Sequence, residues 1–421
     1  MIGQHSEWLS DWRARAGSLL PHAIWPTRKL EAWRYADLRG VAPLKELGPT
    51  PDADEAQARR LMATIRTATS PQIVVVNGRL SSALSTFEPS GDGIQVVGLM
   101  DAMARWPDAV QASLGTLASS ESDAFTALNS SLFLEGLFIY VPPNFVVETP
   151  IDLLFLSVGA TDERFAVHPR VLIYGGRSSQ ATIIERYAGS ETQGYFTNAV
   201  TEVSLEANAH LCHVRVQNEG AQARHVGRLV TRQEADSRLE SHVYSLGAST
   251  SRLAIESNLS GAGAELILNG LYVGAGSQRH DHYTCVDHRA GHCSSTELYK
   301  GILDHKSVGS FQGRALVQKY ASGSRIAQLN KNLLLSPDAR ANTKPQLEID
   351  HDDVVAAHGA TVGQLDVEAL FYLRSRGIDP LDARRIMVMA FANEIPDLLG
   401  PTEIGKEVVE MISLRLGAPL E

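Results

Sequence analysis

The chain has 421 residues, of which 20% are charged, and a net charge of −10 at pH 7. This acidic balance excludes the basic face that a nucleic-acid-binding protein needs, and no run of about 18 apolar residues predicts a membrane span. The N-terminus lacks the basic and apolar regions of a signal peptide, and three cysteines make no disulfide framework. We therefore expect a protein of the reducing cytoplasm, with neither nucleic acid nor a membrane as partner.

The first part of the chain, residues 1–135, is predicted to be a mostly helical N-terminal region. Apolar residues at helical spacing predict helices over residues 6–20, 52–67, 99–114 and 123–134. A strand and a turn are predicted over residues 73–79, where a run of β-branched residues ends at Asn77 and Gly78.

From residue 136 to 363 the sequence is typical of short β-strands separated by clusters of small residues. The clusters recur at steps of 29, 28, 27 and 28 residues when they are aligned on Ser178, Ala207, Ala235, Ala262 and Ala290. Weaker clusters lie about halfway between them. A near-constant period with tight corners predicts a β-solenoid, in which stacked coils share one elongated core. The alternative is a sandwich of meandering hairpins.

The last part of the chain, residues 364–421, is predicted to be a helical C-terminal domain. Asp366 and Asp379 are good N-cap residues, and the second precedes a proline at the first helical position. Gly377 is a good C-terminal stop for the helix between them. A helical end of this kind either docks a partner or caps the open end of the solenoid, and the two roles are compatible.

The histidine- and cysteine-rich run from His280 to Cys293 is a candidate metal site. Imidazole and thiolate are donors that suit iron or zinc, and Cys285, His292 and Cys293 are its weaker candidate ligands. The run has no Cys-x-x-Cys pair, which disfavours a closed structural zinc site. The alternative is that these residues belong to a polar face of the solenoid.

His358 lies where the β region meets the helical tail. Gly359 follows it, so no neighbouring side chain blocks the approach of a ligand or another backbone. One histidine supplies only one metal ligand, and further ligands would have to come from elsewhere, such as another chain. The nearby carboxylates of Asp350, Asp352 and Asp353 indicate a different activity, because sugar-cleaving solenoid enzymes use clustered carboxylates. On a strand, however, Asp353 would face away from the other two.

Several segments of the chain together resemble the SufB/SufD family of iron–sulfur cluster assembly proteins. They cover residues 27–38, 296–302, 330–336, 342–349, 352–354, 358–364 and 370–378. Two features favour the SufD branch: Gly359 stands where SufB members typically have glutamate, and residues 339–343 carry no cysteine. The chain departs from the family at Ala356, a position where many SufD members have cysteine. If that cysteine is a ligand in the family, His358 and the partner would have to supply the ligands here.

The resemblance implies a right-handed parallel β-helix with helical ends, in agreement with the repeat. It also implies a complex with a SufB-like paralogue and a SufC-like ABC ATPase, and a homodimer when the chain is isolated. His358 would bind a transient iron–sulfur cluster shared with the SufB-like subunit. The segment that follows, with Phe371, Tyr372, Arg374 and Arg376, would dock the ATPase. A flavin is implied only for the whole complex, since no pattern in this sequence indicates a flavin site.

We therefore expect a mainly β protein that is a non-catalytic scaffold subunit for cluster assembly. Two alternatives remain open. A β-helix enzyme acting on carbohydrate would need a carboxylate groove and would turn over substrate without partners. A purely structural solenoid would bind protein alone and show no histidine-dependent cluster.

Overall fold

The computed structural model describes residues 2–36, 47, 50–52, 54–65, 72–87, 93–159, 164–400 and 402–417. Within these residues the helices are α1 Ile2–Leu19, α2 Glu55–Met62, α3 Leu99–Arg105, α4 Pro107–Ser113, α5 Ala124–Leu132, α6 Val367–Ser375, α7 Pro380–Asn393 and α8 Glu403–Gly417. Short 3-10 helices occupy Leu20–His22, Glu31–Trp33 and Pro396–Leu399. The last part of the predicted helix at 52–67 and the end of the segment at 27–38 lie outside the described residues.

The strands follow one another closely along the middle of the chain. They are β1 Gln72–Val76, β2 Arg79–Leu80, β3 Gln95–Gly98, β4 Leu137–Val141, β5 Ile151–Ser157, β6 Phe165–Val167, β7 Arg170–Gly175, β8 Gln180–Gly189, β9 Tyr195–Leu205, β10 His210–Gln217, β11 Arg224–Gln233, β12 Arg238–Ser245, β13 Thr250–Leu259, β14 Glu265–Gly274, β15 Arg279–His288, β16 Ser294–Leu303, β17 Val308–Val317, β18 Ser324–Leu334, β19 Arg340–Ile349 and β20 Val354–Gly363.

These strands form a parallel β-helix with two sheets. From β7 onward, successive strands enter the two sheets alternately, so each strand pairs with the strand two places along the chain. All described pairs are parallel except β1 with β2 and β3 with β4. The predicted solenoid is therefore confirmed. The hairpin sandwich is wrong, because hairpins would have paired consecutive strands in antiparallel fashion.

The corners of the coils explain the repeat seen in the sequence. Ser178, Asn208 and Asp236 all have positive φ angles of 57–58°, a backbone conformation that small and Asx residues tolerate. At each of these corners the amide donates to a carbonyl of the next coil, for example from Asn208 to Ala235 at 2.9 Å. Because the corners of successive coils stack on one another, each coil needs the same kind of residue at its corner. This requirement gives the regular spacing of the small-residue clusters.

The N-terminal helices α1, α3 and α4 pack on the outer face of the first coils of the β-helix. Leu9 of α1, Leu99 and Met103 of α3 and Val110 of α4 are buried in one cluster with Phe138 of β4. The helical stretch predicted over 99–114 is divided at Trp106, because Pro107 disfavours helical geometry in the residue before it. The strand and turn predicted at 73–79 are confirmed, and β1 adds to the sheet that contains β5.

The C-terminal helices pack on the outer face of the sheet that ends in β20. Val388 of α7 and Val408 of α8 are buried against Val216 and Val273 in one apolar cluster. A buried ion-pair network adds to this packing, because Arg186 of β8 pairs with Asp152 and with Glu407 of α8. Helices α7 and α8 are thereby held to the body, whereas α6 contributes no buried residue.

The predicted capping residues of the C-terminal helices are confirmed. Asp366 accepts from the amides of Glu368 and Ala369, and Asp379 accepts from the amide of Leu381. Gly377 has a φ of +85°. The domain boundaries at 135/136 and 363/364 stay a prediction, and strands β1 and β3 of the first region continue the two sheets.

Candidate functional site

The open end of the β-helix is formed by the last two strands, β19 and β20. Each is the terminal strand of its sheet, and each is ten residues long. Neither strand contains a residue classed as buried, in contrast with the strands of the middle coils. Backbone donors and acceptors along a terminal strand edge are available for pairing with another chain.

His358 lies in β20, opposite Gln328 of β18 in the parallel register. Its side chain is exposed. A Cβ added at the next residue, Gly359, would meet only Leu329 Cδ1, at 3.2 Å. The Leu329 side chain therefore crowds the outer face beside His358, and the open approach expected from the sequence stays a prediction.

The residues of the opposite sheet show which side of the coil His358 faces. Two coils below His358, Thr284 Oγ1 of β15 donates to Glu297 Oε2 of β16 across the interior, at 3.0 Å. Thr284 is two strands below Pro345 of β19, and Glu297 is two strands below His358. His358 thus occupies the outermost position of the interior, on the level of Pro345.

The acidic residues near His358 belong to the corner between β19 and β20. Asp353 Oδ2 accepts from Ser322 Oγ at 2.8 Å, and the Asp353 carbonyl accepts from the Gly323 amide at 2.8 Å. His351 Nδ1 accepts from the Asp353 amide at 3.0 Å. Since Asp353 stabilises the turn and the carboxylates do not line up on a strand, the corner lacks the carboxylate row that a sugar-cleaving solenoid uses.

Helix α6 begins three residues after β20 and exposes its large side chains. Phe371 is 71% exposed, Tyr372 is 56% exposed and Val367 is 76% exposed. Arg376 Nη2 donates to the Tyr372 hydroxyl at 3.0 Å, and its guanidinium lies 5.1 Å from the ring centroid. Large exposed apolar side chains gathered on one short helix are typical of an interaction surface. Arg374 is also exposed on this helix.

The histidine- and cysteine-rich run does not converge on one point. Cys285 lies on the outer face of β15 and lines a cleft of about 300 Å³ with Trp33 and Tyr283, whereas Cys293 is buried in the inter-sheet core. His292 forms a corner with a φ of 60°. Across the part of the chain that the structure describes, no group of three or more histidine, cysteine, aspartate or glutamate residues is arranged to hold a metal ion.

Burial favours the neutral forms of the ionisable groups in this run. Burial raises the pKa of the Cys285 thiol to about 11 and also raises the pKa of the Cys293 thiol, whereas metals bind the thiolate. Burial lowers the pKa of His282 to about 3, and its ring stacks on Tyr272 at 5.0 Å. The assignment of Cys285, His292 and Cys293 as ligands stays a prediction.

Comparison with known proteins places these features in a family. A family model described as the SUF system FeS cluster assembly, SufBD core domain, matches residues 157–391. The chain belongs to the SufBD family. A second model, the SufBD protein N-terminal region, matches residues 1–153, so the two SufBD models together cover most of the sequence.

Relatives of the SufBD family match along most of the chain. The iron–sulfur cluster assembly protein SufD of Escherichia coli K12 is 31% identical over 392 residues, which is 93% of this chain and 89% of the relative. An iron–sulfur cluster assembly SufBD family protein of Synechocystis sp. is 29% identical over 98% of this chain and 92% of its own length. SufD of Bacillus subtilis is 29% identical over 69% of this chain and 66% of its own length. The family resemblance is confirmed, and with it a role in iron–sulfur cluster assembly.

In this SufBD protein the structure also reveals two polar residues that the sequence reasoning missed. Glu297 and Gln328 lie beneath His358 in the same sheet, each 3% exposed. Their separation of 31 residues is about one coil, so extending the repeat to the last coils would have found them.

None of the described helices is long and apolar enough to span a membrane.

Proposed function

We propose that this SufBD protein is a non-catalytic scaffold subunit on which an iron–sulfur cluster is assembled at an interface with a SufB-like paralogue. The observation that carries the proposal is the position of His358: exposed, in the terminal strand of an open β-helix, between an unpaired strand edge and the exposed helix α6. Imidazole is a good ligand for iron. The cluster is the substrate of this assembly and leaves with an acceptor.

The partner supplies what this chain lacks. The described residues hold no group of three metal-binding side chains, so a cluster at His358 needs ligands from a second subunit. The two terminal strands β19 and β20 present two edges at once, and a partner with the same fold pairs with both by adding strands. When the chain is isolated, a second copy takes the place of the paralogue and gives a homodimer.

Helix α6 is the docking element for a SufC-like ABC ATPase. Its exposed Phe371 and Tyr372 supply the apolar area, and Arg374 and Arg376 supply positive charge around it. Only Gln364, Leu365 and Asp366 separate β20 from α6. A displacement of α6 driven by nucleotide binding or hydrolysis in the ATPase is therefore transmitted to the strand that carries His358.

The proposal has further parts. The scaffold acts in the cytoplasm and catalyses no reaction itself, and a flavin belongs to the proposal only at the level of the whole complex. The carbohydrate-active alternative is not favoured, because Asp353 is engaged in the corner between β19 and β20.

Anaerobic co-purification tests the scaffold. The tagged chain is co-expressed with the SufB-like and SufC-like proteins of the same organism, and we expect all three to elute together. Recovery of the chain alone, from cells that make all three proteins, would contradict the proposal.

A matched pair of variants tests which surface is used. Val355 of β20 is 70% exposed at the open end, and Val146 is 53% exposed near the opposite end of the β-helix. Val355→Lys is expected to reduce recovery of the SufB-like subunit at least tenfold, because it places a charge in the proposed interface, whereas Val146→Lys leaves recovery unchanged. Equal recovery with both variants would exclude the β19/β20 edges as the interface.

A further inference from the structure

A column of three polar side chains leads from the interior of the β-helix to its open end. Glu297 of β16, Gln328 of β18 and His358 of β20 occupy the same position in three successive strands of one sheet. Neighbouring strands lie about 4.8 Å apart, so each side chain of the column is within hydrogen-bonding reach of the next. Two of the three are buried, and only His358 is exposed.

The opposite sheet leaves room for this column. The facing positions are Thr284, Gly313 and Pro345, one in each successive strand. A Cβ added at Gly313 would overlap the Gln328 side-chain amide. The absence of a side chain at Gly313 therefore lets Gln328 extend across the interior instead of turning away from it.

The direction of the Gln328 amide is set by Glu297. Gln328 Nε2 donates to Glu297 Oε2 at 2.9 Å, and the same oxygen accepts from Thr284 Oγ1. With its NH2 group turned toward the carboxylate, Gln328 directs its other amide atom, Oε1, away from Glu297. Gln328 Oε1 is buried and has no hydrogen-bond partner among the described residues, so it is available to accept from a neighbour in the column.

We propose that Gln328 is a positioning residue for His358: its Oε1 accepts a hydrogen bond from one ring N–H of His358 when the other ring nitrogen binds the cluster. A histidine that binds metal commonly donates its second N–H to a carbonyl or carboxylate, which fixes the tautomer and the ring orientation. Here a buried amide provides the acceptor and Glu297 holds the amide in the required orientation. This inference rests on the proposed function, because it takes His358 as a cluster ligand.

Pulsed electron paramagnetic resonance of the anaerobic three-component complex tests this arrangement. The cluster is formed from ferric iron and sulfide and reduced with dithionite, and the spectra report the ring nitrogen bound to iron and the remote ring nitrogen separately. Gln328→Met removes the acceptor while keeping the side-chain length. We expect it to change the quadrupole coupling of the remote nitrogen and to speed loss of iron to a chelator about 10–100-fold.

Two further variants provide the controls. Gln312 of β17 is equally buried, at 4% exposed, but it is adjacent to Gly313 and so faces the outside of the coil. Gln312→Met is expected to leave both readouts unchanged. Gln328→Glu restores an acceptor and should return the remote-nitrogen coupling toward that of the wild type, a rescue that a purely structural role for Gln328 does not predict.

The outcomes separate this inference from the function on which it rests. An unchanged remote-nitrogen coupling in Gln328→Met, with the iron-bound nitrogen still visible, would overturn the inference and leave the scaffold intact. A wild-type complex that forms a cluster without any histidine nitrogen coupling would overturn the role of His358 and the inference with it. A change of equal size in Gln312→Met would show that the spectra respond to general disturbance of the coil, and would also overturn it.

Discussion

The middle and the open end of the β-helix each bury a glutamate between the sheets, but the two carboxylates have different surroundings. Glu185 accepts from Arg215 Nη1 at 2.8 Å, from Thr201 Oγ1 at 2.8 Å and from the Tyr187 hydroxyl at 2.9 Å. Among the described residues, Glu297 near the end accepts from two neutral donors, the Thr284 hydroxyl and the Gln328 amide.

The protonation of the two groups follows from this difference. Burial alone would raise the pKa of Glu185, but the nearby His213 and Arg215 outweigh it and lower this pKa to about 2. Burial raises the pKa of Glu297 to about 7, although the two neutral donors act in the opposite direction. Glu185 of the middle is thus buried with positively charged partners, whereas Glu297 of the open end is buried without a cation among the described residues. We interpret the first arrangement as structural and the second as part of a site.

The largest effect is expected from breaking the charge network of the middle. Arg215→Met leaves Glu185 buried without its cation, and we expect a loss of about 3–5 kcal/mol in the free energy of unfolding. Urea denaturation measures this loss. The control is Arg314→Met, which breaks the exposed pair of Arg314 and Glu348 near the end and should cost less than about 1 kcal/mol. Similar losses in both variants would remove the distinction between the two regions.

The second prediction concerns pH, and the two glutamates act in opposite directions. The lowered pKa of Glu185 contributes stability that is present above the unfolded-state value of 4.5 and is lost as the pH falls toward 2. The raised pKa of Glu297 favours folding below 4.5, and this contribution is lost as the pH rises from 4.5 to about 7.

Burying the ionised carboxylate of Glu297 destabilises the fold only at neutral and alkaline pH. Glu297→Gln therefore removes this destabilisation. We expect this variant to be on the order of 2–3 kcal/mol more stable than the wild type at pH 8 and to differ little from it at pH 4. Urea denaturation at the two pH values measures the difference. A variant that is equally destabilised at both values would contradict the electrostatic account of the open end.

The smallest effect on stability is expected at helix α6. Replacing both Phe371 and Tyr372 by alanine should change the free energy of unfolding by less than about 0.5 kcal/mol, because both side chains are largely exposed. The same variant should fail to retain the SufC-like ATPase in a pull-down. Val388→Ala in the neighbouring α7, where the side chain is 3% exposed, is the converse control and should lower stability while a folded sample still binds the ATPase. An α6 variant that binds the ATPase normally would place the docking surface elsewhere.

Much of the fold could be predicted from the sequence because it depends on local and periodic signals. The corner residues from Ser178 to Ala290 recur once per coil, and Asp366 and Asp379 begin their helices as their capping chemistry requires. The position of His358 at the end of the β region could be predicted for the same reason.

The polar partners of the site could not be predicted in the same way. Glu297 and Gln328 are far from His358 in sequence and become neighbours only when three coils are stacked in register. Likewise, the run from His280 to Cys293 looks like one cluster in sequence. Alternation along β15 and the corner at His292 instead send its side chains to different faces.

The central claim is that His358 binds the nascent cluster at the open end, and one measurement tests it most directly. The visible absorbance of the anaerobic complex is recorded after addition of ferric iron and sulfide, for the wild type, for His358→Ala and for His351→Ala as a histidine control at the same end of the β-helix. The account predicts that all three complexes assemble, that His351→Ala forms the cluster as the wild type does, and that His358→Ala forms none. Normal cluster absorbance with His358→Ala, in a complex that has assembled, would contradict it.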